Sequence, residues 1–349
     1  MAKHGRLRGL GFPVGVLEPG TLNAITDVPG VRVGHKTLSA ATGCGESCCT
    51  GVTAIVPPEA ASPLTAASYV VNGFGKTVGL VQLDELGQLE APILLTNTFG
   101  VGAALEGALR HLMQRDPAVG DTGATPNVVV AECNDGYLND LRALHVRPEH
   151  AVDAIAAARG GRVPEGAVGA GTGMRCCGFK GGIGTASRRI EGSDCQVGVL
   201  VLANFGDRRD LTMLGVPVGR RLAADVAPPR DGSIIMVVAT ELPWDALALK
   251  RLAARTAFGL ARTGSVASHG SGDIAIAFST APPHLAYGDG GRLATRAFHA
   301  VAEATEEAIL NALTQAETTV GRGGRVVPAL PMEETLALLR QAKWTPAGS

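Results

Sequence analysis

Two hydroxyls and a carboxylate, Ser233, Ser271 and Asp273, carry the most pointed chemical signal in this chain. Ser233 follows the turn signal Asp231-Gly232 and begins the β-branched apolar run Ile234-Ile235-Met236-Val237-Val238, so it opens a strand. Ser271 and Asp273 leave a Gly/Ser-rich loop at 264–272 and open a second apolar strand at 274–279. Between the two strands, Leu247, Leu249, Leu252, Ala253, Ala257 and Leu260 fall near helical spacing, which predicts a helix over 243–262. Neighbouring strands joined by such a crossover are parallel, so their N-terminal ends share one edge of the sheet. Side chains 38 and 40 residues apart in sequence are then expected to meet in space. The combination suits acyl transfer, which needs a nucleophile with a hydrogen-bonding relay behind it. By itself, a serine at the head of a strand is an ordinary structural residue; the second strand gives it weight.

The rest of the chain sets bounds. Its 349 residues are enough for a sizeable core. The net charge of −1 has no basic block, and aromatics make up only 4% of residues, so nucleic acid is not an expected partner. No apolar run reaches membrane-spanning length, and residues 1–20 lack the apolar stretch of a secretory signal; no membrane association and a cytoplasmic location are expected. The seven cysteines, at 44, 48, 49, 133, 176, 177 and 195, read as reduced thiols. Cys44, Cys48 and Cys49 suggest a metal loop, but no His or Cys pair follows at finger spacing, so neither a metal nor a cofactor is expected.

Further elements follow in order. A strand–turn–strand is expected at 21–36 around Pro29-Gly30, with short strands at 51–56 and 68–71, a helix at 76–87 and a strand at 92–96. An amphipathic helix at 101–113, a strand at 127–133 and an Ala-rich helix at 148–159 come next. In the glycine-dense tract 161–184, Gly178-Phe179-Lys180-Gly181-Gly182 invites a phosphate-loop reading. The lysine precedes the glycines, however, and no Gly-Lys-Ser/Thr ending follows, so a twisted hairpin is the better reading. Strands at 183–189 and 196–203 lead to a polar, proline-bearing connector at 207–230, the kind of stretch where a chain is cut or extended. Helices at 295–317 and 332–341 close the chain. Many strands with a few long helices point to a single α+β domain with helices covering stacked sheets.

Taken together, several motifs resemble the β-peptidyl aminopeptidase / L-aminopeptidase D-esterase family. They are Asn23-Ala24-Ile25-Thr26-Asp27-Val28-Pro29-Gly30, Asn72-Gly73-Phe74-Gly75-Lys76, Asp135-Gly136-Tyr137-Leu138-Asn139, Ala203-Asn204-Phe205-Gly206, Gly232-Ser233 and Gly270-Ser271-Gly272-Asp273. The resemblance implies a four-layer αββα sandwich, similar in layout to the Ntn hydrolases but differently connected. It also implies a precursor that cuts itself between Gly232 and Ser233. Residues 1–232 and 233–349 would stay associated, within a homo-oligomer that is a tetramer by resemblance, and Ser233 would become an N-terminal nucleophile. The activity implied is release of N-terminal L-, D- or β-residues from short peptides, amides and esters. Freed, Ser233 carries its own α-amine as general base, with Ser271 and Asp273 to orient it. Asn204 is a candidate oxyanion donor, although a plain turn asparagine is nearly as good a reading. Tyr137 is a candidate hydrogen-bond donor or pocket wall. For the substrate's ammonium group the candidate is Glu132, with Asp135 the alternative. His269, beside Ser271, ranks below the α-amine as a base. Two other readings stay open: an acyltransferase related to the ornithine acetyltransferases, which use threonine, and a non-enzymatic glycine-rich ligand-binding scaffold.

Overall fold

The apolar runs of the sequence become two sheets stacked face to face. The computed structural model describes residues 5–58, 63–222, 232–283 and 291–342. The first half of the chain contributes β1 (Arg32–Ser39), β2 (Cys49–Val56), β3 (Leu64–Gly73), β4 (Gln88–Leu89), β5 (Ile93–Asn97) and β6 (Val129–Cys133). After a short hairpin, β7 (Arg175–Cys176) and β8 (Phe179–Lys180), come β9 (Gly182–Arg189), β10 (Gln196–Asn204), β11 (Ser233–Thr240) and β12 (Gly272–Ser279). One sheet has the order β1-β2-β5-β6 and the other β4-β3-β12-β11-β10-β9. Their facing surfaces share one core, in which Ile55, Ile93, Leu95 and Val129 meet Leu200, Leu202, Ile235, Val237, Ile276 and Phe278.

Helices cover both outer faces. Over the smaller sheet lie α1 (Val101–Arg115) and α2 (Pro148–Ala156), whose alanines 104, 108, 151 and 154 pack on Val52, Ala54, Leu94 and Val130. Over the larger sheet lie α3 (Ala246–Ala253), α4 (Thr256–Arg262) and α5 (Arg292–Thr314), with Leu249, Leu252, Leu260, Val301 and Leu310 against Val199, Val201, Met236 and Val238. The result is the expected four-layer αββα order. Burial on both faces explains why β10, β11 and β12 read as continuous apolar runs rather than alternating ones. Helix α5 sits so close to β9 that a Cβ on Gly184 would collide with the Ala308 carbonyl. Among the described residues no helix is long and apolar enough to cross a membrane.

The structure departs from the sequence reading in several places. The first half of 21–36 is not a strand. The Asp27 carboxylate accepts the N–H groups of Leu22 at 2.9 Å and Ala24 at 3.1 Å, and Asn23 takes a left-handed φ of 49°, so this segment folds into a local turn. The helix expected over 76–87 shortens to Leu80–Leu86, because Gly79 turns the chain at φ 86°. The helix expected over 243–262 breaks into α3 and α4. The Thr256 hydroxyl donates to the Ala253 carbonyl at 2.7 Å, and the Arg255 N–H reaches back only three residues, to Leu252. Cys44 and Cys48 are joined in a disulfide rather than standing as thiols. Residues 223–230 of the predicted connector, and Asp231, lie outside the described residues.

A buried ion network ties the N-terminal segment to the sandwich. Arg188 of β9, fully buried, bonds Glu303 at 3.1 Å and Glu307 at 2.6 Å on α5. Arg8 also reaches Glu307, and Glu303 accepts the backbone N–H groups of Val16 and Leu17 at 3.0 Å. Burial pushes the Glu307 carboxyl up, but the Arg188 and Arg8 guanidinium groups outweigh it and hold the carboxyl below its ordinary value. Removing one partner strands buried charge, so Arg188→Met is expected to cost about 3–5 kcal/mol. Chemical denaturation checks this; an unchanged midpoint would mean that the carboxylates find other partners.

Candidate active site

Strand pairing puts the chemistry at one end of the larger sheet. Ser233, the first residue of β11, lies opposite Asn204, the last of antiparallel β10, and beside Gly272, the first of parallel β12. Gly272 in turn faces Gly73, the last residue of β3. The expected parallel β11–β12 pair is therefore present. Alternate residues of β10 and β11 (Leu200, Leu202, Ile235, Val237) line the core between the sheets. By the two-residue period, Asn204 and Ser233 share that inner face. The Ser233 hydroxyl accepts the Gly272 N–H at 3.1 Å, and the Ser271 hydroxyl donates to Asp273 Oδ1 at 2.6 Å. Burial pushes the Asp273 carboxyl up to about 6, with the Ser271 hydroxyl and the Ile234 N–H pulling it part of the way back.

Asn204 is held at both ends of its amide. Oδ1 accepts the Arg175 N–H at 2.9 Å, and Nδ2 donates to the Asn134 carbonyl at 3.0 Å, which leaves one amide proton for a ligand. The loop carrying Arg175 is anchored by Lys180, whose buried ammonium donates to the carbonyls of Gly171, Met174 and Gly181 at 2.9, 2.9 and 2.8 Å. Burial pulls that amine down to about 7. With its donors committed to backbone carbonyls, Lys180 holds no phosphate, and the tract around it is the expected hairpin, β7–β8.

The two carboxylate candidates separate. Glu132 Oε1 accepts the Lys76 N–H at 2.9 Å, and Oε2 accepts the Thr98 hydroxyl. A Cβ on Gly75 would stand 3.5 Å from Ile274 Cδ1, 3.7 Å from Glu132 Oε1 and 3.9 Å from Gly272 Cα, so Gly75 lies between Glu132 and the strand end beside Ser233. Asp135, buried next to Asn134, accepts the Asn139 amide at 3.1 Å, and burial pushes its carboxyl up to about 7 against the pull of the Thr50, Asn139 and Asn97 side chains. Tyr137 is 39% exposed, with the Arg175 guanidinium 4.1 Å above its ring. It borders the site through the residue that holds Asn204. His269 is exposed, and its contribution is a carbonyl that accepts Asn72 Nδ2 at 3.1 Å. A cleft of about 220 Å3 opens here, with Phe205, Asp207, Gly232, Ser268 and Ser271 in its walls.

Sequence reasoning did not single out four contributors: Asn72, Thr98, Arg175 and the Lys76 N–H. Asn72 gathers the carbonyls of Ser268, His269 and Ser271 onto one amide, fixing the turn from which Ser271 projects. Its signals in the sequence are its place at a predicted strand end and in the motif Asn72-Gly73-Phe74-Gly75-Lys76, neither of which says what its amide holds.

Against known proteins, the model for peptidase family S58 matches residues 23–327. The chain is 42% identical to beta-peptidyl aminopeptidase BapA of Sphingosinicella microcystinivorans, over 97% of this chain and 93% of that one. A solved structure from Pyrococcus horikoshii OT3 superposes with a TM-score of 0.90 at 46% identity, covering 98% of this chain and all of the other. The L-aminopeptidase D-Ala-esterase/amidase of Ochrobactrum anthropi, described as a prototype for the serine aminopeptidases and a variant of the Ntn hydrolase fold, superposes with a TM-score of 0.88. It is 35% identical and is covered over 99% of its chain, with 97% of this one.

If the Asp273 carboxylate works through Ser271, Asp273→Asn lowers turnover on the order of 10²–10⁴-fold while circular dichroism stays unchanged. Its pKa is raised, so the carboxylate is charged above about pH 6 and neutral below. The wild-type rate should therefore fall on acidification through that value, and the residual rate of the variant should lose this limb. Near-normal turnover in the variant would remove Asp273 from the chemistry.

Proposed function

The chain belongs to peptidase family S58 and is a serine aminopeptidase, and we propose that it works after cutting itself between Gly232 and Ser233. In the cut, the Ser233 hydroxyl attacks the Gly232 carbonyl, the Gly232–Ser233 amide becomes an ester, and water releases the Gly232 carboxylate. The new α-amine, with an ordinary pKa of about 7.7–8.0, then serves as the base that takes the Ser233 hydroxyl proton. The same hydroxyl attacks the carbonyl of a substrate's N-terminal residue. The leaving amine takes up the proton, and water hydrolyses the acyl ester.

In this reading Asn204 donates its remaining amide proton to the oxyanion, a contribution usually of about 10²–10³ in rate. Ser271 and Asp273 orient the nucleophile and its amine. Glu132 pairs with the substrate ammonium, for it lies near the strand end beside Ser233, whereas burial holds the Asp135 carboxyl up at about 7, which weakens it as a charged partner; Tyr137 walls the pocket. The substrates proposed are short peptides, amides and esters with a free N-terminal L-, D- or β-residue. The observation that carries the reading is the single row Asn204, Ser233, Gly272 with the Ser271–Asp273 bond behind it. The two chains, 1–232 and 233–349, would stay together because β11 pairs with β10 along eight residues. The family match does not favour the acyltransferase or the scaffold.

Two experiments test this. Ser233→Ala should run as one full-length chain on a denaturing gel and show no turnover; a variant that still splits at 232/233 would overturn self-cleavage. Alanine p-nitroanilide should be hydrolysed and its N-acetyl form refused. Acetylation removes the charge and leaves a buried carboxylate unpaired, at a cost of roughly 1–3 kcal/mol or more. Equal rates for the two would point to a general amidase.

A further inference from the structure

Away from Ser233, the fold completes a ligand set that the sequence left unfinished. Cys44 and Cys48 lie on the loop between β1 and β2, and the metal reading of that loop lacked a histidine at any suitable spacing. The structure supplies one from 101 residues away: His145 Nδ1 stands 3.7 Å from Cys44 Sγ. One ligand atom from each of Cys44, Cys48 and His145 falls within 4.8 Å of the others. Zinc–sulfur bonds of about 2.3 Å and zinc–nitrogen bonds of about 2.0–2.1 Å, set at a tetrahedral angle, put sulfur and nitrogen about 3.6 Å apart. The sulfur–nitrogen edge is therefore already at coordination distance. The two sulfurs are joined in the disulfide, their Cα atoms 5.7 Å apart. Opening it requires the loop to yield by an ångström or two, and the loop is built to yield. Gly43 and Gly45 flank Cys44 at φ 82° and 98°, each with no neighbouring atom within 4 Å of where a Cβ would be. Cys48 is buried, but Cys44 and His145 are both half-exposed, so metal and reductant can reach the site from their side.

We propose that Cys44, Cys48 and His145 form a thiol-gated site for a zinc-like divalent ion, with water as the fourth ligand. A dithiol reductant gives up two hydrogens and becomes a disulfide, while the Cys44–Cys48 bond becomes two thiols. Metal uptake then displaces two thiol protons, leaving two thiolates and one neutral imidazole on the ion. Thiolate and imidazole donors suit zinc rather than magnesium or calcium. A disulfide oxidant that takes two electrons from the thiolates, and two protons from water, to become a dithiol restores the Cys44–Cys48 bond and expels the ion. The site is separate from the Ser233 chemistry and does not depend on the aminopeptidase reading.

The test uses the whole protein and cobalt(II) as a coloured substitute for zinc. Protein reduced with a phosphine, its opened cysteines confirmed by thiol counting, should take up one cobalt per chain and show a sulfur-to-cobalt charge-transfer band that zinc abolishes. Oxidised protein should show none. Cys44→Ser should lose the band, and His145→Ala should weaken binding by at least about tenfold. Thermal melts of both variants confirm that they are folded. Reduced wild-type protein without the band, a band that survives Cys44→Ser, or unchanged affinity in His145→Ala would each overturn the proposal.

Discussion

The register of β11 between its two neighbours is the constraint on which the rest depends. Antiparallel pairing with β10 sets Asn204 against Ser233, and parallel pairing with β12 sets Gly272 beside it. A slip of one residue would turn Ser233 to the helix-covered side and carry Ile234 into its place. The slip is opposed along the whole strand. Ile235, Val237 and Ala239 pack between the sheets, while Ile234, Met236 and Val238 pack under the helices, so each face has its own core to satisfy. The candidate nucleophile, at the head of a doubly buried strand, is thus located by hydrophobic packing rather than by its own hydrogen bonds.

Putting a polar site at the edge of such a sandwich leaves many buried polar groups to be satisfied, and the structure meets this with multi-pronged donors and acceptors. Lys180 gathers three carbonyls, the Asn72 amide gathers three more, and Arg188 and Arg8 converge on Glu307. Each gathers segments that are irregular by themselves. Through Lys180 the 171–181 loop is fixed, through that loop the Arg175 N–H, and through Arg175 the side chain of Asn204. Unpaired, a buried group of this kind would cost about 1–3 kcal/mol, and more where it is charged. Site order and fold stability therefore rest on the same bonds.

This also explains what the sequence disclosed. The Ser233, Ser271 and Asp273 constellation was legible because periodicity marks the strands and the crossover rule makes them parallel, both properties of the local chain. Helices over stacked sheets followed from the element pattern, but the four-layer αββα order came from resemblance, since nothing in periodicity says which strands share a sheet. The roles of Asn72, Thr98 and Arg175 escaped notice because they act on backbone groups or on residues far away in sequence, and residue type alone carries no trace of that. The break between α3 and α4 and the turn at 21–27 escaped for a related reason: in each, a side-chain oxygen captures backbone hydrogen bonds that a helix or strand would have used. The Cys44–Cys48 bond and its histidine were hidden because His145 joins them only through the tertiary fold.

Gly232, just before the candidate nucleophile, owes its identity to packing. What it provides is space. A Cβ there would stand 2.6 Å from both the Asn204 carbonyl oxygen and Phe205 Cα, in collision with the end of β10. The missing side chain is what lets the peptide preceding Ser233 lie against the strand that carries the candidate oxyanion donor, along the wall of the cleft beside Ser271. A side chain at position 232 would push that peptide away from Asn204.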